Sequence, residues 1–350
     1  MTTPPSMNTK AYAKAGVDVD LGNKVKSGIE AMVSKTRRPE VLSSVGGFGG
    51  LFLANFPNMK EPVLVSSVDG VGTKLKVAGL LNRHDTIGED LVNHCVNDIA
   101  CIGAEPIFFL DYIGTSRLDP HMFKEILAGL TRGCQAAGCA LVGGETAQMP
   151  GIYHGSDYDL VGCIVGIVDR AKMVDGKANI RVGDKIIGLP SSGLHTNGYS
   201  LARDLIFNKL SMRIGDLIPG QRKKETVGQA LLATHVSYLP DLRALQAAGV
   251  VAKGIAHITG GGLIDNIPRV LPDDMNAEIK LGSWTISPLF KFLASTAAVP
   301  DDELYQVFNM GIGMTIVVSE DQAKLALETV KGKIIGEIVP GEGVVKLKKK

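Results

Sequence analysis

The chain has 350 residues, 45% of them hydrophobic, and its 37 basic side chains nearly balance its 36 acidic ones. Length and hydrophobic content predict two domains with sizeable cores, and the balanced charge leaves no field that would attract nucleic acid. The longest apolar run, residues 160–168, is far below the roughly 18 residues of a membrane span, and residues 1–10 lack a signal-peptide core. Five cysteines form no metal-ligand or CxxC spacing, which indicates reduced thiols. We expect a cytoplasmic protein without membrane or nucleic-acid partners.

Taken in chain order, the first half alternates helical and strand signals. Residues 24–34 carry apolar side chains at helical spacing, and a glycine-rich stretch over 46–50 follows that suits neither a helix nor a strand. Two β-rich runs, 63–68 and 107–113, each carry an aspartate, Asp69 just after the first and Asp111 within the second.

A long helix is predicted next, with Asp119 as N-cap, Pro120 in the first turn and its end near Gly138. Strands at 139–142 and 159–168 complete this unit.

The segment 169–183 contains Asp-Gly and Gly-Asp turns and little apolar content, so we place the domain boundary there. The prediction is an N-terminal domain over residues 1–170 and a C-terminal domain over 171–350, each mixed α/β. The later strands are predicted near 185–189, 277–281, 312–318 and 333–339, with helices near 198–209, 240–248, 263–270, 301–308 and 320–331.

The hexapeptide DGVGTK, residues 69–74, places a carboxylate, two glycines, a hydroxyl and an ammonium group at the end of a predicted strand. Gly70 and Gly72 would let backbone N–H groups approach phosphate oxygens, Lys74 supplies positive charge, and Asp69 can hold Mg²⁺. The spacing of a Walker A loop is absent. An ordinary turn with a surface lysine is the alternative.

The predicted helix over 88–99 aligns Asp90, His94 and Asn97 on one face, at positions i, i+4 and i+7. This face could present ligands to a metal ion, or it could be a solvated surface. His94 itself is interpreted as structural, because hard metals prefer oxygen.

Three glycine-rich loops follow predicted strands. The loop over 142–147 offers Glu145 as an acidic ligand beside Gly143 and Gly144, and the loops over 191–200 and 257–262 each lead into a helix, as in phosphate cradles. Tight connections with ordinary helix caps are the alternative. His195 could contact substrate or could only fix its own loop.

Together these segments resemble the phosphoribosylformylglycinamidine cyclo-ligases, the aminoimidazole ribonucleotide synthetases. The resemblance covers roughly residues 11–340, and Thr196 stands where a serine is common in that family. The matching motifs are YAKAGVDVD (12–20), KTRR (35–38), GGFG (46–49), DGVGTK (69–74), ND (97–98), GAEP (103–106), FLDY (109–112), LVGGETA (141–147), MPGIYHG (149–155), NGYSL (197–201), TGGG (259–262) and NIPRVL (266–271).

The resemblance implies a two-domain ATP-binding α/β fold whose N-terminal domains pair in a homodimer, with formylglycinamidine ribonucleotide, ATP and Mg²⁺ as ligands. ATP would convert the formyl oxygen to an iminophosphate, and the amidine nitrogen would then close the imidazole ring. The implied catalytic residues are Asp69, Lys74, Asp111, Glu145 and His195. The implied metal ligands are Asp69, Asp90, Asn97, Asp98 and Glu145.

The implied ATP-binding residues are Gly46, Gly47, Phe48, Gly49 and Gly50 as a mobile flap, with Gly70, Gly72, Thr73, Lys74, Asn97, Asp98, Gly143 and Gly144. The implied substrate-phosphate residues are Ser192, Gly193, Thr196, Asn197, Thr259, Gly260, Gly261 and Gly262. The competing interpretations are a small-molecule kinase or a selenophosphate-type synthetase of the same superfamily, and a non-catalytic nucleotide-binding dimer. The selenophosphate-type synthetases generally carry a reactive cysteine or selenocysteine near the N-terminus, and in this sequence no cysteine precedes Cys95. The kinases generally have two successive aspartates where this chain has Asp69 and Gly70.

Overall fold

The computed structural model describes residues 16–26, 29–43, 47–220 and 224–349. Its strands form a four-stranded sheet in the N-terminal half and a six-stranded sheet in the C-terminal half. The prediction of a mixed α/β fold is confirmed. Gly46, one of the predicted flap residues, and residues 12–15 of the first motif lie outside the described residues.

The first sheet has the strand order β1-β4-β2-β3. β4 pairs antiparallel with β1 and with β2, whereas β2 and β3 run parallel. Two long helices, α4 and α5, pack against each other and cover one face of this sheet. The elements of this half are α1 (Val19–Lys26), α2 (Ile29–Val33), β1 (Pro62–Gly70), α3 (Lys74–Leu81), α4 (Ile87–Ala100), β2 (Glu105–Thr115), α5 (Pro120–Ala137), β3 (Ala140–Gln148) and β4 (Tyr158–Asp169).

Helix α5 follows its sequence signals closely. The Asp119 side chain accepts hydrogen bonds from the backbone N–H groups of residues 121 and 122, and Pro120 occupies the first turn. Gly138 ends the helix with φ of 76°, a left-handed conformation that favours glycine. The predicted N-cap and C-terminal glycine are confirmed.

The face of the first sheet opposite α4 and α5 is largely uncovered among the described residues. Side chains along β1 alternate, so Val65 packs inward while Leu64 and Val68 remain 65% and 64% exposed. On the neighbouring strands Leu110 and Val165 are only half-buried. This half therefore presents an apolar sheet surface.

The second sheet has the order β10-β7-β9-β5-β8-β6 and is mostly antiparallel. Apolar clusters cover both of its faces, with Leu245 and Val330 in one cluster and Leu263 and Leu293 in the other. Its elements are α6 (Gly176–Asn179), β5 (Lys185–Pro190), α7 (Tyr199–Arg203), α8 (Val227–Leu231), α9 (Leu239–Ala247), β6 (Gly254–His257), α10 (Gly262–Asn266), β7 (Met275–Lys280), α11 (Pro288–Ala297), α12 (Asp301–Val307), β8 (Ile312–Val318), α13 (Ala323–Thr329), β9 (Lys333–Pro340) and β10 (Val345–Lys348).

The sequence analysis did not predict α3, α6, α8, β6, α11 or β10. β6 and β10 have only four residues each, too few to show a periodicity. The interpretation of 142–147 as a loop was wrong, because β3 runs through it to Gln148. A residue with a β-carbon would not fit in place of Gly144, because the carboxylate and carbonyl oxygens of Asp111 on β2 occupy that space.

No helix among the described residues is long and apolar enough to cross a membrane. All five cysteines are free; Cys95, Cys134 and Cys139 are buried and the other two are half-buried.

Candidate active site

A cleft of about 570 Å³ lies between β1 and α4 on one side and β6 with its following loop on the other. It brings together five residues that the sequence singled out from both halves of the chain. They are Asp69, Asp98, Asn197, Thr259 and Gly260.

Asp69 lies near the end of β1, where the strand delivers its carboxylate into the cleft. One carboxylate oxygen accepts the backbone N–H of Gly70 at 2.7 Å, and the other lies 2.8 Å from Nε2 of His94. The side chain is 38% exposed, so the carboxylate keeps lone pairs that face the cleft.

Asp98 lies on α4, four residues after His94, and is held in a similar way. Its Oδ1 accepts the Nδ1–H of His257 at 2.8 Å, and its Oδ2 accepts the hydroxyl of Ser67 at 3.1 Å. Burial acts to raise the pKa of Asp98, but the hydrogen bonds that its carboxylate accepts from His257 and Ser67 oppose this, and the pKa lies below its usual value. Asp98 therefore remains ionised near neutral pH.

Histidines connect the two carboxylates behind the cleft. His94 Nδ1 lies 2.8 Å from the hydroxyl of Thr196, which is 3.3 Å from Nδ1 of His235. The Nε2 atoms of His235 and His257 are 3.0 Å apart. Burial lowers the pKa of His235 and of His257, so both imidazoles are uncharged near neutral pH. Of the two, His257 contacts a cleft carboxylate, Asp98, and orients it.

Lys74 and Asp90 do not reach the cleft. Both side chains are fully buried and form an ion pair with 2.8 Å between Nζ and Oδ2. Lys74 Nζ also donates to the carbonyl of Ala233 at 2.6 Å, and Asp90 Oδ1 accepts the backbone N–H of His235 at 2.7 Å. The placement does not support the prediction that Lys74 neutralises phosphate charge or that Asp90 binds metal.

Asn97 is buried in the same contact. Its Nδ2 donates to the carbonyl of Val236, and its Oδ1 accepts the backbone N–H of Tyr238, both at 2.8 Å. Asn93 donates to the carbonyl of His235 at 2.8 Å. The polar face of α4 that the sequence interpreted as metal-binding or solvated is instead occupied by the segment 233–238 of the other half.

The loop over residues 191–200 turns most of its side chains inward. His195 is 1% exposed and its ring stacks on His235 with centroids 4.0 Å apart. Its Nε2 accepts the backbone N–H of Ser192 at 3.3 Å, and its backbone holds a left-handed φ of 60°. This placement favours the alternative in which His195 fixes its own loop.

Other members of that loop also have protein partners. The Ser192 hydroxyl donates to the carbonyl of Thr234 at 2.5 Å, and the Gly193 carbonyl accepts Nδ2 of Asn309 at 2.8 Å. Thr196 is buried in the histidine chain, which leaves Asn197 as the residue of this loop that lines the cleft.

The second glycine loop is pinned by Asn266. The side-chain amide of this buried residue donates to the carbonyls of Thr259, Gly260 and Gly262. Gly261 and Gly262 have φ of 96° and 55°, so this loop needs glycines in the left-handed region. A β-carbon on Gly260 would lie 3.2 Å from Oδ1 of Asn197, so the two loops meet at this edge of the cleft.

The structure does not bring Glu145 to Asp69. Glu145 lies on β3, three strands from β1, which corresponds to roughly 14 Å across a sheet. Gly162 of β4 pairs with both Asp69 and Asp111, so these two aspartates lie on the inner face of the sheet. Glu145 pairs with Tyr112, the residue after Asp111, so its side chain points to the opposite face. Glu145 therefore lies on the open face, away from the cleft.

Asp111 lies two strands from Asp69, with Gly162 of β4 opposite both residues. Burial raises the pKa of Asp111 to about 7.

Of the predicted flap, Gly47, Phe48, Gly49 and Gly50 are exposed. Gly72 and Thr73 are also exposed and lie directly before the first residue of α3.

Sequence reasoning missed three cleft-side residues, His235, His257 and Arg269. His257 is the first residue of the loop over 257–262, and Arg269 lies in the motif NIPRVL, so both belong to segments that the sequence analysis singled out. His235 follows no recognised pattern, and only the folded chain shows its contact with α4.

Two family models match the chain. The one described as AIR synthase related protein, N-terminal domain, matches residues 56–168, and the one described as AIR synthase related protein, C-terminal domain, matches residues 181–348.

Curated relatives match nearly the whole chain. A phosphoribosylformylglycinamidine cyclo-ligase of Geotalea uraniireducens (strain Rf4) is 50% identical over 336 residues, covering 95% of this chain and 95% of the relative. One of Alkaliphilus oremlandii (strain OhILAs) is 47% identical over 335 residues, covering 94% of this chain and 97% of the relative.

Solved structures share the fold at low identity. The hydrogenase maturation protein HypE in complex with ATP matches with a TM-score of 0.65 and 14% identity, covering 94% of this chain and 91% of that chain. A thiamine-monophosphate kinase from Stenotrophomonas maltophilia K279a matches with a TM-score of 0.62 and 16% identity, covering 92% and 96%. Such likeness shows a common fold.

Proposed function

Since the chain belongs to the AIR synthase related family, we propose that it catalyses the ATP-dependent cyclisation of formylglycinamidine ribonucleotide to aminoimidazole ribonucleotide. This is a carbon–nitrogen ligase reaction of purine biosynthesis. The observation that carries the proposal is the 50% identity over 95% of both chains with a protein of that name. The cleft, which gathers the predicted residues of both halves, supports it.

The two walls of the cleft suit the two reactants. Asp69 and Asp98 are rigid acids on one wall, and Asn197, Thr259 and Gly260 offer amide, hydroxyl and backbone groups on the other. We assign the ATP triphosphate to the acidic wall and the ribonucleotide to the opposite wall. Holding the formyl oxygen in line with the terminal phosphate would supply most of the catalysis that a phosphoryl transfer requires.

The acidic wall fits a magnesium ion. Asp69 and Asp98 are hard oxygen donors, each with one oxygen fixed by a histidine and with free lone pairs towards the cleft. These two residues would hold Mg²⁺, which would neutralise charge on the triphosphate. Orientation by His94 and His257 keeps both carboxylates in place before the nucleotide enters.

The chemistry then proceeds in two steps on the substrate. The formyl oxygen attacks the terminal phosphate of ATP, which gives an iminophosphate and ADP. The amidine nitrogen attacks the activated carbon, phosphate leaves, and the imidazole ring closes. The neutral His257, which donates to Asp98, keeps that carboxylate ionised throughout.

We also propose that two copies pair through the open face of the first sheet. Contiguous apolar surface of this kind marks an interface, and Leu64 and Val68 are its most exposed members on β1. Glu145 lies on this face and is remote from its own Asp69, so any part it takes in the reaction would involve a site shared between protomers. The exposed residues 47–50 stay predicted as a flap over the nucleotide, and Gly143 and Gly144 stay predicted to contact it.

The experiment is a steady-state assay of ADP release with formylglycinamidine ribonucleotide, thiamine phosphate or selenide as the second substrate. We expect release only with the ribonucleotide, together with formation of aminoimidazole ribonucleotide. Turnover with thiamine phosphate instead would identify a small-molecule kinase, and turnover with selenide would identify a selenophosphate-type synthetase. Binding of ATP without turnover of any of the three would favour a non-catalytic role.

A further inference from the structure

The cleft has one cation that the reaction as proposed does not use. Arg269 lines the cleft on the wall of Thr259 and Gly260, opposite Asp69 and Asp98. It is the single lysine or arginine among the described residues that line this cleft. Lys74, the other candidate for binding phosphate, is enclosed with Asp90.

Arg269 is free to bind a ligand. It belongs to the 3₁₀ turn Ile267–Val270 and is exposed. Its guanidinium makes no hydrogen bond or ion pair with any residue that the structure describes. Most other arginines among the described residues have a hydrogen-bond or ion-pair partner in the protein. Arg243, for example, contacts both carboxylate oxygens of Glu105.

The backbone that carries Arg269 is fixed to the glycine loop. Asn266, three residues earlier, is 2% exposed and its amide donates to the carbonyls of Thr259, Gly260 and Gly262. Pro268 restricts the backbone directly before Arg269. The backbone at Arg269 and the glycine loop are therefore held together before any ligand binds.

We propose that Arg269 binds the 5′-phosphate of the ribonucleotide substrate, a step that rests on the proposed function. A dianionic phosphate is repelled by Asp69 and Asp98 unless a metal ion intervenes, so the acidic wall suits the Mg²⁺-bound triphosphate. The opposite wall has no acid among the cleft-lining residues described, and a guanidinium there binds phosphate bidentately without a metal. Arg269 thereby directs the substrate phosphate to its own wall and leaves the acidic wall to the triphosphate of ATP.

Binding of ribose 5-phosphate, followed by calorimetry without ATP or Mg²⁺, tests this independently of turnover. The wild type should bind, Arg269→Met should bind at least about tenfold more weakly, and Arg269→Lys should fall between them because it keeps the charge but loses the fork. Arg213→Met is the matched control, since Arg213 is an exposed arginine whose partner is Asp216. It should bind like the wild type.

Kinetics of the same variants identify the phosphate. Arg269→Met should raise KM for formylglycinamidine ribonucleotide by about tenfold or more, with KM for ATP unchanged. A rise in KM for ATP alone would overturn the proposal in favour of a triphosphate contact. Unchanged ribose 5-phosphate affinity in Arg269→Met, or no binding by the wild type, would also overturn it. If the wild type binds ribose 5-phosphate but shows no ribonucleotide-dependent turnover, the proposed function fails and the Arg269 site stands.

Discussion

The ion pair between Lys74 and Asp90 gives the sharpest test of how this fold is held together. Both side chains are 0% exposed, with 2.8 Å between Nζ and Oδ2. Each also bonds the backbone of the segment 233–238, at Ala233 and His235. Replacing Asp90 by Asn keeps an acceptor for the His235 N–H but removes the charge, so the perturbation falls on Lys74.

The expected cost is large because a buried ammonium group is left without its counter-ion. Breaking one side of a buried pair typically costs about 3–5 kcal/mol, a large part of the roughly 5–15 kcal/mol that stabilises a folded protein. Lys74→Met should cost a similar amount, because it strands the carboxylate of Asp90. The double variant Lys74→Met/Asp90→Asn removes both charges and should lose clearly less than the sum of the two single variants.

The pH dependence gives a second readout. Burial raises the pKa of Asp90 to about 6, with Lys74 opposing the rise. A carboxyl group whose pKa is raised on folding binds its proton more tightly when folded, so this contribution to stability is lost as pH rises towards and through 6. Without Lys74 the pKa rises further, so Lys74→Met should lose more stability than the wild type between pH 5 and pH 8.

Urea unfolding followed by circular dichroism, at pH 5 and pH 8, measures all four proteins of this cycle. If the single variants are as stable as the wild type but have lost turnover, the ion pair does not stabilise the fold. That result would favour a role for Lys74 in binding the nucleotide. Additive losses in the double variant would show that the two charges are not coupled.

Three further outcomes follow from the same contacts. Asp69→Asn and Asp98→Asn should fold with near-normal melting temperatures yet lose most turnover at saturating Mg·ATP; unchanged turnover would show that the carboxylate in question does not hold the proposed Mg²⁺. Val68→Glu should convert a dimer to a monomer in light scattering, whereas Val251→Glu, at an equally exposed valine 63% accessible, should not; a monomeric wild type would exclude the interface. His195→Ala should melt below the wild type with near-normal kinetics at low temperature, and a raised KM at unchanged melting would restore a substrate role.

Local signals predicted the parts of the fold that depend on nearby residues. Helix α5 could be bounded to within a residue because its cap, its proline and its terminal glycine act within one turn. The acids Asp69 and Asp98 could be proposed because each belongs to a motif of the family that the sequence resembles, DGVGTK (69–74) and ND (97–98). Their meeting in one cleft could not be derived from spacing, since β1 and α4 reach β6 only through the packing of the two halves.

The polar face of α4 shows where such reasoning stops. The spacing of Asp90, His94 and Asn97 correctly placed three polar side chains on one face, but periodicity does not say what covers that face. The segment 233–238 covers Asp90 and Asn97 with its backbone, and only His94 continues towards the cleft. A partner 145 residues away along the chain leaves no trace in the local pattern.

These buried contacts bear directly on how the cleft can work. Asn97 bonds the other half, and the next residue, Asp98, lies about 100° further round the same helix and faces the cleft. Any motion that separated the two walls at this point would break several buried hydrogen bonds at once, each costly to leave unmade. The acidic wall and the wall of Arg269 are therefore held at a fixed separation along α4. We therefore expect any closure over bound nucleotide to come from elsewhere. The exposed glycine-rich residues 47–50, predicted as a flap, have a composition that suits such movement.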